Sequence, residues 1–378
     1  MKKKIFSLAL SLIAVFGMSS CETNDESIDI AMVTDVGNID DGSFNQFTYE
    51  GVKQFASENN LKQAYFKPSE DSTTARVASI EQAISRGAKV IVCPGYLFEA
   101  SIYEVQDKHP EVAFLLLDGE PHEEDNYNAD AYKTASNTHN ILYKEYEPGF
   151  LLGYAAVKEG YRHLAFEGGM KGNAVIKYGW GYLSGILSAA NELKVNVEVE
   201  YDYSGTFNPD DKIVTRCDGW YSSGVEAIFT CGGKIFQSVV SSANKDKANR
   251  KIFGVDVDQH SQAPDLVVSS AMKGLATSTM DALEAFFDND GKWPEAYAGK
   301  TASVGAAEDM IGLPTEEASW GFENFTVEEY EDVFDKLVAD SSYTGVALEG
   351  SNVTFDLKGR DTSYVTVNYT DAEADAAW

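Results

Sequence analysis

The chain has 378 residues, 30 basic and 60 acidic, giving a net charge of −30 at pH 7, with 44% hydrophobic and 12% aromatic residues. A field of that sign repels phosphate backbones, which excludes nucleic acid as a partner and favours a neutral or cationic small ligand over a strongly anionic one. The length is enough for two lobes with separate cores.

Lys2, Lys3 and Lys4 precede an apolar stretch from Ile5 to Phe16, and Met18-Ser19-Ser20 then leads to Cys21. The apolar run is too short to span a bilayer comfortably, so residues 1–20 read as a secretion signal. A cysteine directly after small residues resembles the lipobox of bacterial lipoproteins. That resemblance implies diacylation at Cys21 and a protein held on the extracytoplasmic face of the cell membrane by its lipid. Each buried methylene adds about 0.8 kcal/mol, so two chains hold firmly. Residues 21–27 read as a polar tether, and no later segment approaches membrane-spanning length.

From Ile28 the pattern is apolar strand, loop and amphipathic helix, repeated. The strand Ile30 to Val33 is followed by a helix from Ser43 to Glu58, with Phe44, Phe47, Val52 and Phe55 on roughly one face. Tyr65-Phe66 is a second strand, Thr74 to Arg86 a helix ended by Gly87, and Lys89 to Cys93 a third strand. Leu97 to Lys108 is a helix stopped by Pro110, and Val112 to Leu117 a strand ending at Asp118-Gly119. The alternation then restarts. Helices are expected over 147–159, 175–193, 210–222 and 235–247, with strands over 163–167, 195–203, 226–230 and 251–255. A further strand (266–270) and helix (274–288) follow, then a helix over 327–339 and an alternating strand pair over 353–357 and 364–368. Two successive α/β sets imply an α/β fold of two doubly wound parallel-sheet lobes. The expected division is 28–138 plus 262–312 for the first lobe and 139–261 plus 313–378 for the second.

In open parallel sheets ligands sit beyond the carboxyl ends of the strands. Those ends carry Thr34-Asp35, Pro94-Gly95, Asp118-Gly119, Gly168-Gly169, Gly232-Gly233 and Asp256. Glycine lets a backbone approach a ligand closely, and carboxylates accept from hydroxyls or ring N–H groups. Their recurrence at both sets of strand ends points to a cleft between the lobes.

The segment from Val33 to Gln46 (Val33-Thr34-Asp35-Val36-Gly37-Asn38-Ile39-Asp40-Asp41-Gly42-Ser43-Phe44-Asn45-Gln46), with Gly254-Val255-Asp256-Val257-Asp258-Gln259, resembles the basic membrane protein family of substrate-binding lipoproteins. Tyr178-Gly179-Trp180-Gly181-Tyr182, Tyr203-Ser204-Gly205-Thr206-Phe207, Cys231-Gly232-Gly233 and Ser269-Ser270-Ala271-Met272-Lys273 continue it in order. The resemblance covers roughly residues 28–346. It implies a type I periplasmic-binding-protein fold with a multi-strand hinge, no catalysis, and a purine nucleoside delivered to an ABC permease and its ATPase by a monomer. It further implies that Phe44 and Phe207 clamp the base, and that Asp35, Asn45 and Asp118 contact the base or orient its neighbours. Asp256 and Lys273 would hold ribose hydroxyls, and Gly232 would offer a backbone amide. Lys177, Tyr178 and the run Lys234-Ile235-Phe236 depart from the family's pattern and leave riboflavin or another small ligand as the alternative.

Enzyme signatures are weak. Thr34 to Asp41 superficially resembles the calcium-binding start of nucleoside hydrolases, but Val33 stands at the first acidic position and one extra residue shifts the register. The five histidines lack metal spacing, and no cofactor or metal is expected. Cys93, Cys217 and Cys231 are an odd set, so a fully paired disulfide framework is ruled out and buried free thiols are expected.

Overall fold

The computed structural model describes residues 27–349, 352–355 and 360–370, so Cys21, the signal segment and nearly all of the tether lie outside the described residues. The first sheet grows from β1 (Ile30–Val33), whose four residues are all buried. Ile30 and Met32 face one core, Ala31 and Val33 another, which is why the strand reads as a continuous apolar run. After α1 (Phe44–Glu58) come β2 (Gln63–Phe66), α2 (Thr73–Ser85), β3 (Val90–Pro94), α3 (Glu99–Val105), β4 (Ala113–Leu117) and β5 (Thr138–Tyr143).

The chain then passes to the second lobe through α4 (Tyr146–Glu159), β6 (His163–Gly168), α5 (Asn173–Leu193), β7 (Val197–Tyr203), α6 (Asp211–Ser223), β8 (Ala227–Cys231), α7 (Ile235–Ala243), β9 (Lys251–Asp256) and β10 (Val267–Lys273). It returns to the first lobe for α8 (Leu275–Asp288) and β11 (Lys300–Val304). It crosses back for β12 (Ile311–Gly312), α9 (Val327–Ala339), β13 (Val346–Glu349), β14 (Asn352–Phe355) and β15 (Val365–Tyr369).

The first sheet has the order β11-β5-β4-β3-β1-β2, with every pair parallel. The second runs β12-β10-β9-β8-β6-β7-β15, parallel except for the edge pair of β12 and β10. Helices cover both faces of each sheet. In the first lobe α1 and α8 pack on one face, through Val52, Phe55, Leu283 and Phe286, and α2 and α3 on the other, through Ile80, Ile102 and Val105. In the second, α4, α5 and α9 cover one face, and α6 and α7 the other through Ile213, Cys217, Phe236 and Val239. This is the two-lobed type I architecture expected. Among the described residues no helix is long and apolar enough to cross a membrane.

Three expectations need correction. Val267–Lys273 joins the second sheet, beside β9, so Lys273 belongs to the second lobe although 262–312 was assigned whole to the first. Thr138–Tyr143 is a strand of the first sheet, which therefore extends past residue 138. The two C-terminal strands do not pair with each other: β14 forms a hairpin with β13, while β15 adds to the second sheet beside β7. There Asn368 donates to Glu198 and Glu200, fastening β15 across the sheet edge.

Candidate ligand-binding site

The carboxyl ends of the two sheets face each other across a cavity lined by residues of both lobes. All eight expected ligand-binding residues line it: Asp35, Phe44, Asn45, Asp118, Phe207, Gly232, Asp256 and Lys273. They come from five strand ends, from the β7–α6 loop and from the start of α1.

The loop between β1 and α1 is built around Asp41, whose carboxylate accepts from the backbone N–H groups of Ser43, Asn45 and Gln46 at 2.9–3.0 Å. A carboxylate at a helix N-terminus satisfies donors that the helix itself leaves open. Asn45 then becomes a positioning residue. Its Nδ2 donates to Asp35 Oδ1 (2.8 Å) and to Asp41 Oδ2 (2.9 Å), and its Oδ1 accepts from the Asp35 amide (3.1 Å). Asp35 Oδ1 also accepts from Gly37. Burial pushes the Asp35 carboxyl up to about 6, against the opposing pull of those two donors.

Asp118 and Asp256 end β4 and β9 in the left-handed region, at φ values of 59° and 66°. Aspartate tolerates that region better than most side chains, and strained conformations gather at ligand clamps. Between these strand ends lies Lys273, buried, with its ammonium bonded to Asp118 Oδ2, 3.5 Å from Asp256 Oδ1 and 3.7 Å from Glu145 Oε1. Burial alone would lower the lysine, but the three carboxylates outweigh it and hold the ammonium above its ordinary range. Asp118 is raised as well. Burial raises its carboxyl, Lys273 pulls it down, and nearby Glu145 pushes it up again. Glu145 is held low despite burial because Lys177, 3.2 Å away, and Lys273 both favour its charge. The Lys273 ammonium also lies 4.5 Å from the Phe44 ring centroid, a cation–π contact that orients the ring.

Phe207 reaches the cavity from the β7–α6 loop, and its carbonyl accepts from the Lys234 amide at 3.0 Å. The glycines at the ends of β6 and β8 make room for it. A Cβ on Gly169 would stand 2.4 Å from Phe207 Cδ1, and one on Gly232 would stand 3.0 Å away. These glycines therefore seat an aromatic ring, a role that strand-end composition alone does not distinguish from presenting an amide.

The lobes touch across the cleft mouth. Ser43 Oγ donates to Asp256 Oδ2 (2.7 Å), Gln262 Nε2 donates to Gly42 O (2.7 Å), and Lys234 pairs with Asp40 (2.9 Å). The arrangement is a closed one.

The lining residues that sequence reasoning did not name as site residues include Asp41, Tyr96, Tyr178 and Cys231. Asp41-Gly42-Ser43 before a helix is a capping signal that marks the loop. Tyr178 follows the helical apolar period of α5 and looks like any core residue. Cys93, Cys217 and Cys231 are buried free thiols.

A family model described as "ABC transporter substrate-binding protein PnrA-like" matches residues 28–342. The chain is 25% identical over 324 residues to the ABC transporter nucleoside-binding protein BmpA of Lactococcus lactis, covering 78% of this chain and 87% of that one. It is 24% identical over 317 residues to basic membrane protein B of Borreliella burgdorferi, covering 83% and 89%. Among solved structures, an ABC transporter solute-binding protein from Aeropyrum pernix superposes with a TM-score of 0.70 at 19% identity, over 85% of this chain and 93% of that one.

Proposed function

The chain belongs to the Bmp family of PnrA-like ABC transporter substrate-binding proteins, and from that premise we propose that its ligand is a purine nucleoside. The supporting observation is the division of the cavity. Phenylalanines from opposite lobes, Phe44 and Phe207, line it alongside a buried Lys273 set among carboxylates. Aromatic faces suit a heterocyclic base, at about 1–3 kcal/mol per stacked base. Asp35 accepts from base N–H groups, with Asn45 holding it in place, and Asp256 and Lys273 take ribose hydroxyls by accepting and donating. Gly232 bounds the Phe207 side. A 5′-phosphate is disfavoured, because Asp118, Asp256 and Glu145 surround the buried Lys273 ammonium and Asp35 adds a further carboxylate to the cavity lining.

The nucleoside draws the lobes together by contacting both, and shifts the population only through its better affinity for the closed form. A membrane permease with its ATPase then receives it. The protein works as a monomer, lipid-anchored at Cys21 on the extracytoplasmic side, with residues 21–27 as its tether and residues 1–20 removed.

The test is a thermal-shift panel on the signal-free protein, stripped of carried-over ligand by partial unfolding. Ligand at a hundred times its dissociation constant stabilises by about 2.7 kcal/mol. Purine nucleosides should raise the midpoint while ribose and free bases do not; a response to riboflavin alone would remove the nucleoside. Phe207→Ala should weaken nucleoside binding by about 10-fold or more, and unchanged affinity would remove the stacking.

A further inference from the structure

Among the buried polar atoms of the described residues, two that line the cavity have no hydrogen-bond partner: the Tyr178 hydroxyl and Asp118 Oδ1. Tyr178 is 1% exposed and sits on α5, with its ring edge-on to Phe229. Its ring centroid is 5.7 Å from the Lys273 ammonium. Phenylalanine would fill the same volume without stranding an oxygen, and an unsatisfied buried hydroxyl costs free energy that a phenyl ring does not. An oxygen retained at that cost, on a wall of the ligand cavity, calls for a partner that arrives with the ligand.

We propose that Tyr178 is a specificity-determining residue whose hydroxyl donates a hydrogen bond to a sugar hydroxyl of the bound nucleoside. The assignment rests on the purine-nucleoside proposal and deepens it, since Tyr178 stands in the lysine-and-carboxylate half of the cavity. Asp256, Glu145 and Asp118 all act on its phenol, and burial with their negative charges holds it well above its ordinary range. The group therefore stays protonated and available as a donor at neutral pH. A sugar hydroxyl accepts as well as donates, so it suits both a phenol donor and a carboxylate acceptor such as Asp118 Oδ1. Sites built to bond a ligand hydroxyl reject the analogue that lacks it far more strongly than apolar pockets reject a change of size.

The experiment compares the full-length mature protein with Tyr178→Phe, titrated calorimetrically with inosine, guanosine and adenosine and with their 2′-, 3′- and 5′-deoxy counterparts. The variant should bind the parent nucleosides about tenfold more weakly, about 1.4 kcal/mol. That deficit should vanish for the one deoxy series that lacks the contacted hydroxyl. Without ligand, the variant's thermal midpoint should equal or exceed the wild type's, because no internal hydrogen bond is lost. Equal affinities of the two proteins for every parent nucleoside overturn the contact and leave the nucleoside proposal standing. A uniform deficit across all the deoxy series, or a destabilised unliganded variant, assigns Tyr178 to packing and also overturns the contact. A wild type that binds no nucleoside in the panel overturns the nucleoside proposal and the contact with it.

Discussion

A carboxylate removed from water and left with one amide and one carboxamide as donors keeps its proton longer than it would in solution, and for Asp35 the value is about 6 against an ordinary 3.8. Its sign for stability follows from linkage: the folded chain holds a proton that the unfolded chain has released between those values. The contribution of Asp35 to the unliganded protein is therefore fully present below about 4 and lost as pH rises to about 6. Its sign for binding is opposite, because an ionised Asp35 is the acceptor for base N–H groups. Affinity for a purine nucleoside should fall by about tenfold per pH unit below 6, and calorimetry between pH 5 and 7 should show a shallower slope in Asp35→Asn, the remainder reflecting Asp118, whose carboxyl is also raised. Much at this scale was legible in the sequence, since strand-end residues such as Asp35, Asp118 and Asp256 carry their position with them. Tyr178 was not, because a helix's apolar period gives the same signal whether a ring meets a core or a ligand.

Helices α4 and α5 cross at backbone distance. A Cβ on Gly153 would lie 2.1 Å from Tyr182 O, one on Gly185 2.0 Å from Phe150 O, and one on Gly149 2.4 Å from Tyr178 O. The crossing thereby sets the depth at which Tyr178 enters the cavity wall. Gly153→Ala forces the helices apart and should lower stability by about 2–3 kcal/mol, seen as a reduced thermal midpoint. Gly219, exposed within α6 with nothing within 4 Å of where a methyl would stand, is the contrary case. Gly219→Ala should raise stability by about 0.5–1 kcal/mol through helix propensity alone. Among the elements that sequence reasoning missed are two polar strands. β5 reads Thr-His-Asn at its start, yet Thr138, His139 and Asn140 are buried. Thr138 bonds Gln106, and Asn140 bonds Thr134 and Thr301. β11 is an exposed edge strand of sequence KTASV, with no apolar face to announce it. Hydrophobic pattern finds strands that bury oil, whereas β5 buries hydrogen bonds and β11 lies largely exposed.

Across the whole molecule the two lobes are joined by three passages of the chain: between β5 and α4, between β10 and α8, and between β11 and β12. Glu145 lies in the first and Lys273 at the start of the second, so the buried charge cluster sits in the hinge itself. Beside it, the buried bond from Ser43 to Asp256 links the two lobes. Ser43→Ala removes about 1 kcal/mol from the closed form. Small-angle scattering should then find a larger radius of gyration without ligand and a normal one with it. The expected lobe boundaries missed these passages, because no composition change marks where the chain passes from one lobe to the other. The same passages order events as the polypeptide is made. The strands β1 to β5 emerge first, yet α8, whose Leu283 and Phe286 share a core with Val52 and Phe55 of α1, follows only after β6 to β10. The earliest-born lobe is thus left unfinished, with an oily flank bare until most of its neighbour has left the ribosome.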